Sequence, residues 1–267
     1  LEMGETFQVK RDHPDWVVKT WWWQGMWNLA APGLREYKVN LLRELAENYD
    51  FDGFQIDFAR HVPCLPVGRQ WELREQATEF MRMVRRMLLE VEAKRDRAIL
   101  LSAKVPETIE GCRVDGFDVE TWAKEDLVDC FSLGSRSMTV DLEAFRRITD
   151  KKPIKLYPCL DDHHATDGYR FPPIEVFRGI FGNWLRQGAD GVETFNWSCA
   201  RPEARAKVGG GWPGPESHRQ AYHECGSLHL MKGKDKIFAV ERRGGYPWAE
   251  GYFNRTVTAP LPAVLVV

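Results

Sequence analysis

The chain has 267 residues and a mass of 30.9 kDa, enough to bury a substantial core, so a folded rather than a disordered chain is expected. Its 37 Lys and Arg are interspersed with 39 Asp and Glu for a formal net charge of -2, which leaves no basic stripe and argues against a nucleic-acid partner. Six cysteines (Cys64, Cys112, Cys130, Cys159, Cys199 and Cys225) lie scattered without a CxxC spacing, which argues against a zinc knuckle and a disulfide scaffold.

Val17 to Trp23 is apolar and aromatic and is expected to be a strand, entering a loop that holds Gln24, Gly25 and Asn28. Pro32-Gly33 then signals a helix start, and Leu34, Tyr37, Leu41, Leu42 and Leu45 recur at helical spacing. Asp50 to Phe58 reads as a strand, Trp71 to Val91 as a second amphipathic helix, and Ala98 to Ser102 as a strand. Further on, Val119 to Lys124 is a short helix, Leu127 to Leu133 a strand, Leu142 to Ile148 a helix and Ile154 to Leu160 a strand. Ile174 to Gln187 is helical, and Gly191 to Trp197 is a strand after the Gly188-Ala189-Asp190 turn. Beyond Gly209 to Pro215, a loop, Ser217 to Leu230 is mostly helical, while Ile237 to Val240 and Tyr252 to Val257 look like strands.

Strand and helix alternate through about six units, which implies parallel strands joined by crossovers. The expected architecture is therefore α/β: a (β/α)8 TIM-barrel-like domain over 1–230, lacking its first one or two β/α units, with a short β appendage beginning at 231–267. A barrel short of two units exposes strand edges, and bare edges recruit other chains, so a homo-oligomer is expected. No signal peptide or membrane-length apolar run is present, so a soluble chain with no membrane partner is expected. Leu1-Glu2 before Met3, and the apolar end LPAVLVV, look like cut ends, which leaves a secreted or periplasmic parent protein open.

The segment DGFQIDFARH, Asp52 to His61, concentrates the chemistry. Strand side chains alternate, so Phe54, Ile56 and Phe58 should face a helical layer while Gly53, Gln55 and Asp57 face the other way. A carboxylate that looks into a packed sheet costs several kcal/mol unless paired or wetted, and the C-terminal rim of a (β/α) barrel is where such groups work. The structural alternative is an ion pair of Asp57 with Arg60 or Lys104.

The run Asn28 to Arg60, NLAAPGLREYKVNLLRELAENYDFDGFQIDFAR, resembles glycoside-hydrolase-like TIM-barrel proteins related to the glycosyl hydrolase-like 10 group. The likeness rests on Asn28, the Pro32-x-x-Arg35 helix start, and Tyr49, Asp50, Asp52, Gly53, Asp57 and Arg60. It continues in the same order through ILLSAKVPET, VDCFSLGSRSM, IKLYPCLDD and GADGVETFNW, so it spans Val17 to Trp197. In such barrels this block holds the third to eighth strands. A narrower likeness joins Asp57, Arg60 and His61 to the nucleophile strand of α-amylase-type hydrolases, although Gln55 stands where those enzymes place an Arg.

Glycoside hydrolysis, which the resemblance implies, needs two carboxyl groups across the scissile bond. Asp57 supplies one as nucleophile or base. Asp161, Asp162, Glu193 and Glu107 are the candidates for the other, and the resemblance favours Asp161 because related barrels carry an acidic residue after this strand. Physical reasoning favours Glu193, since an acid within a strand is desolvated and its pKa raised. Asn28, Gln55, Arg60, His61, Lys104, Tyr157, Asn196, Trp23, Trp27 and Trp197 are candidate substrate-binding residues, the Trp rings offering flat faces to a sugar. The expected partner is a poly- or oligosaccharide, with no cofactor and no metal. Two rivals stand beside this reading: a noncatalytic carbohydrate-binding barrel, and a metal-dependent hydrolase built on Asp161, Asp162, His163 and His164. His218, His223 and His229 are expected at the surface or in packing.

Overall fold

The computed structural model describes residues 7–20, 24–134, 137–161, 172–197 and 215–239. In chain order the elements are α1 (Gln8–Asp12), a 3-10 turn (Pro14–Trp16), β1 (Val17–Lys19), β2 (Gln24–Trp27), α2 (Pro32–Asn48), β3 (Gly53–Asp57) and α3 (Arg74–Arg95). β4 (Leu100–Val105), α4 (Ile109–Asp115), α5 (Val119–Lys124), β5 (Cys130–Leu133) and α6 (Leu142–Ile148) follow. The rest is β6 (Lys155–Asp161), α7 (Ile174–Arg186), β7 (Glu193–Phe195) and α8 (Pro215–Glu224). The fold is α/β, with five strands in the sheet order β3-β4-β5-β6-β7 and the β3-β4 and β6-β7 pairs parallel.

The expected first barrel strand is instead part of a hairpin. Val17–Lys19 pairs antiparallel with Gln24–Trp27 as a separate two-stranded sheet, where a loop was expected at Gln24. Only four residues separate the two strands, far too few for a parallel crossover, which takes a dozen or more. Among the described residues the sheet accordingly has five strands rather than six. The expected strand at Ile237 to Val240 is also absent from the described part, since Ile237 to Ala239 carries no regular element. The strand expected at Tyr252 to Val257 lies outside the described residues, as do positions 209–214 of the expected loop.

The chain divides into two compact units, Leu1–Phe131 with Arg147–Ile154, and Ser132–Arg146 with Lys155–Val267. In the first unit α3 presents the stripe read from its sequence: Ala77, Phe80, Val84, Met87, Leu88 and Val91 are all buried. Phe80, Phe117 and Trp122 surround Phe58, with ring centroids 6.5, 4.9 and 5.3 Å away. The Trp122 indole satisfies its N–H by donating to Thr78 Oγ1 at 2.9 Å, so this large side chain is buried without a stranded donor. On α2 the expected Leu34 is buried and Tyr37, Leu41 and Leu42 are half-buried, while at the far end Ala46 is buried and Leu45 exposed.

The outer side of α3 is laced by charge. Arg82 forks onto Glu125 at 2.6 and 2.8 Å and reaches Glu75 at 2.5 Å, and these acids push its pKa upward. Arg85 holds Asp129, Arg95 holds Asp50, and Arg97 holds Asp50 and Asp52. Asp129 in turn accepts the Leu101 N–H at 2.7 Å and donates its own backbone N–H to Leu101 O at 2.8 Å, which fastens the β5 approach to β4.

In the second unit α7 is buried along most of its length, with Phe177, Phe181 and Trp184 forming an aromatic ladder. Trp184 donates to Met138 O at 3.0 Å. The segment after α8 lies along α7: Ile237 N donates to Glu175 O at 2.9 Å, and a Cβ at Gly179 would stand 2.1 Å from Ile237 O. Only glycine admits that approach, because the obstacle is backbone. Asp190 stitches this unit's loop before β7, accepting from Leu156 N, Lys155 and Arg146. Burial works to raise its pKa, but these donors prevail and hold it below the usual range.

Candidate functional site

β3 and β4 run in parallel register, with Gln55 opposite Ser102 and Asp57 opposite Lys104. Alternation therefore puts Gln55, Asp57, Ser102 and Lys104 on one face, and Phe54, Ile56 and Phe58 on the face that packs beneath α3 and α5. This is the parity expected from the sequence. The burial differs, because Asp57 and Gln55 are exposed rather than sunk in a core. Alternation assigns a face, not the depth of cover over it.

Asp57 is held by its own turn. Its Oδ1 accepts the backbone N–H groups of Ala59 at 3.0 Å and Arg60 at 2.9 Å, the Asx-type arrangement that short acidic side chains make where a strand turns into a loop. The carboxylate is thus oriented at the C-terminal end of β3 and still meets solvent. Lys104 stands opposite Asp57 in the register with 1 % exposure, so a basic side chain is buried on the strand next to β3. Gln55 donates to Ser102 Oγ at 3.3 Å, which brings in a hydroxyl that sequence reading passed over.

Arg60 Nη1 and His61 Nε2 are 3.5 Å apart beside this turn, both half-buried. Cys64 donates its thiol to His61 O at 3.7 Å. Loss of solvent around the sulfur, and then the Asp57 charge, push the Cys64 thiol up to about 12. Glu107 stands half-buried in the loop after β4.

Asn28 and Trp27 serve the fold. Asn28 donates to Asp15 O at 3.1 Å and accepts from Ala30 N at 3.1 Å, closing the turn between β2 and α2. The Trp27 ring has the Lys10 and Lys38 ammonium groups 4.4 and 4.2 Å from its centroid. Arg35, from the Pro-x-x-Arg start, donates to Leu29 O at 2.5 Å and holds the same turn. Trp23, Asp162, His163 and His164 lie outside the described residues.

In the second unit β6 and β7 pair with Cys159 opposite Glu193 and Asp161 opposite Phe195. Tyr157, Cys159, Asp161, Glu193 and Phe195 consequently share one face, while Leu160 and Thr194 share the other, where Thr194 Oγ1 lies 3.4 Å from the Tyr222 hydroxyl on α8. Asp161 ends β6 with 1 % exposure and accepts from Asn196 Nδ2 at 2.9 Å. Asn196 adopts φ 55°, a left-handed conformation that Asn tolerates better than most residues and that swings its amide back to β6. The next residue, Trp197, donates its indole N–H to Leu160 O at 3.1 Å and packs on Phe177, Phe181 and Tyr222. Trp197 therefore closes the helical layer.

Glu193 and Tyr157 are both half-buried, and the Tyr157 ring stands so close to Gly191 that an added Cβ would meet it at 2.9 Å. His223 and His229 are exposed; the side chain of His218 lies outside the described residues. Among the described residues no group of three His, Cys, Asp or Glu side chains is placed to hold a metal ion. No described helix is long and apolar enough to cross a membrane.

No protein-family model matches the chain, and no curated protein matches it. Solved structures similar to it include a multi-modular cell-surface chitinase, ChiW, from Paenibacillus sp. str. FPU-7, at 16% identity and TM-score 0.41, over 58% of this chain and 21% of that one. A chitinase-like agglutinin from Robinia pseudoacacia is similar at 11% identity and TM-score 0.47, covering 67% of this chain and 73% of that one. A glycoside hydrolase family 18 N-acetylglucosaminidase from Paenibacillus barengoltzii is similar at 13% identity and TM-score 0.48, covering 78% and 86% respectively. The chain thus spans about a fifth of the length of the first of these.

Proposed function

We propose that the chain is a glycoside hydrolase that cleaves a poly- or oligosaccharide with two carboxyl groups, Asp57 acting as nucleophile or base and Asp161 or Glu193 as acid. The observation that carries this reading is Asp57 itself, a solvent-reachable carboxylate aimed by two backbone N–H groups at the C-terminal end of a parallel strand. Such a group is fixed in direction before substrate arrives, and the buried Lys104 stands in register with it on the neighbouring strand. The resemblance of Asn28 to Arg60 to glycoside-hydrolase-like barrels supports the same assignment.

Turnover of a panel of plant, algal and bacterial-wall polysaccharides, chitin included, tests it. Asp57→Asn should leave folding intact and lower turnover by about three or more orders of magnitude. With a substrate whose leaving group needs no protonation, Asp161→Asn or Glu193→Gln should recover much of its rate if that residue is the acid, and Asp57→Asn should not. Wild-type turnover in a folded Asp57→Asn variant removes the proposal.

A second reading, a noncatalytic carbohydrate-binding protein, is favoured by the treatment of Asp161, which is buried and already engaged by Asn196. Saturable glycan binding without product, unchanged in Asp57→Asn, would select it.

A further inference from the structure

The helical side of the second unit holds a cavity of ≈ 440 Å³ that no candidate sugar-site residue lines. Its polar lining is Arg186, His229, Lys232 and Lys236, with no carboxylate among the lining residues. Buried Met231 and partly exposed Leu228 supply the apolar wall.

The sequence builds this cavity from two pieces. α7 ends at Arg186, and the chain after α8 turns through residues 227–233, where Gly233 takes φ 72°, a left-handed value that suits glycine. Lys236 closes the turn by donating to Met231 O at 2.8 Å and Lys234 O at 2.9 Å, which uses two of the three N–H donors of its ammonium. Glu224, on α8, is buried and committed to Arg178 and Lys234, which hold its pKa low against its burial. That pair anchors the turn to α7 and keeps its negative charge out of the cavity lining. Asp235, between two lysines in sequence, contributes its backbone carbonyl to Arg178 at 3.2 Å and does not line the cavity.

The charge balance is decisive. Three permanent cations face one space, opposed by the C-terminal end of α7, whose dipole amounts to roughly half a negative charge. A volume of this size lies within the range of small-molecule sites, ~300–1,000 Å³, and exceeds what a bare inorganic ion fills. We propose that this cavity binds a tetrahedral oxyanion, a phosphate or sulfate group, carried on a small polar molecule the size of a monosaccharide. Arg186 supplies the planar fork that matches two oxygens, and Lys232 and Lys236 supply point charges around them.

The proposal is independent of the hydrolase assignment and is tested by binding alone. The full chain is titrated at low ionic strength with glucose 6-phosphate, glucose 6-sulfate, inorganic phosphate, inorganic sulfate and glucose, and heat or amide shifts are followed. Saturable binding of the sugar esters, tighter than that of the inorganic ions and absent for glucose, is expected, weakening as salt is added. Arg186→Gln combined with Lys232→Gln should lower ester affinity at least about tenfold without changing thermal unfolding, while Lys151→Gln, on an exposed side chain of the first unit, should leave it unchanged. Absence of saturable binding overturns the proposal, as does an unaffected double variant or an equal loss in Lys151→Gln. Ester binding no tighter than that of the inorganic ion overturns the larger ligand.

Discussion

Asp57 and Asp161 each end a parallel strand, β3 in the first unit and β6 in the second, yet the protein treats them oppositely. Asp57 stays in contact with water and is steered by backbone N–H groups two and three residues ahead. Asp161 is withdrawn to 1 % exposure and is met by a side-chain amide 35 residues away in sequence. The first arrangement is local and survives changes elsewhere in the unit. The second depends on β7 lying in register, so any loss there takes a hydrogen bond from a buried polar group, the costlier failure.

The largest expected effect tests that dependence. Asn196→Val removes the donor to Asp161 and forces a β-branched residue into a left-handed conformation, and should destabilise the chain by about 3 kcal/mol in urea titration. Asp57→Ala should shift the same curve by only about 0.5 kcal/mol, since its partners return to water. Comparable losses from both would erase the contrast.

Next in size are two glycines at strand entries, Gly53 at the start of β3 and Gly191 in the loop before β7. A Cβ at Gly53 would stand 2.6 Å from the Leu100 carbonyl oxygen, backbone that cannot retreat without opening the β3-β4 register, and Gly53→Ala should cost about 2 kcal/mol. Gly191→Ala meets only the Tyr157 ring at 2.9 Å, which can tilt away, so the loss should be about half as large. Reversal of that order in denaturant midpoints would mean that the second unit is the stiffer at its strand entry.

The smaller effects are electrostatic. Each unit holds a thiol raised to about 12: Cys64, by burial and then Asp57, and Cys225, by burial and then Glu224, against the opposing pull of Arg178 and Lys234. A thiol whose folded pKa lies above its unfolded value of about 8.5 binds its proton longer in the folded chain. The stability it lends is complete below that unfolded pKa and is lost as pH rises toward 12. Unfolding free energy should therefore decline from about pH 9 upward, and Cys64→Ser should flatten part of the decline. Smallest of all, Asp57→Asn should lower the Cys64 pKa and speed its alkylation at alkaline pH, while Cys225 reacts as before. An unchanged rate at Cys64 would place the Asp57 charge farther from the sulfur.

What the sequence made legible was periodicity. The α3 stripe from Ala77 to Val91 and the two faces of β3 follow from spacing alone, because helical and strand repeats are written in apolar positions. α4 escaped notice, although Thr108 caps it and Gly116 ends it, since the positions it buries are Gly111, Cys112 and Asp115 and write no apolar stripe. The hairpin of β1 and β2 was hidden by the Trp21-Trp22-Trp23 run, which extends the apolar pattern of a single strand across the connection. Within the candidate sites, Asp57 and Asp161 were readable as strand-end acids. Their surroundings were not, because the exposure of Asp57 and the capture of Asp161 by Asn196 depend on neighbours brought close by folding. Trp197 shows the same limit: its residue type was legible, and its packing on Phe177 and Phe181 was not.

The arginine lacing of α3 bears on how the first unit melts. Its forks join positions more than forty residues apart, from Arg82 to Glu125 and from Arg95 to Asp50, so they act as long-range ties on a helix whose other side is already packed. Hydration of charged groups loses its hold as temperature rises, and networks of ion pairs gain relative to isolated ones. Warming in dilute buffer should therefore leave α3 among the last segments to exchange its amide hydrogens. Molar salt should move it forward in that sequence, so that the order of melting, rather than the midpoint, records the lacing.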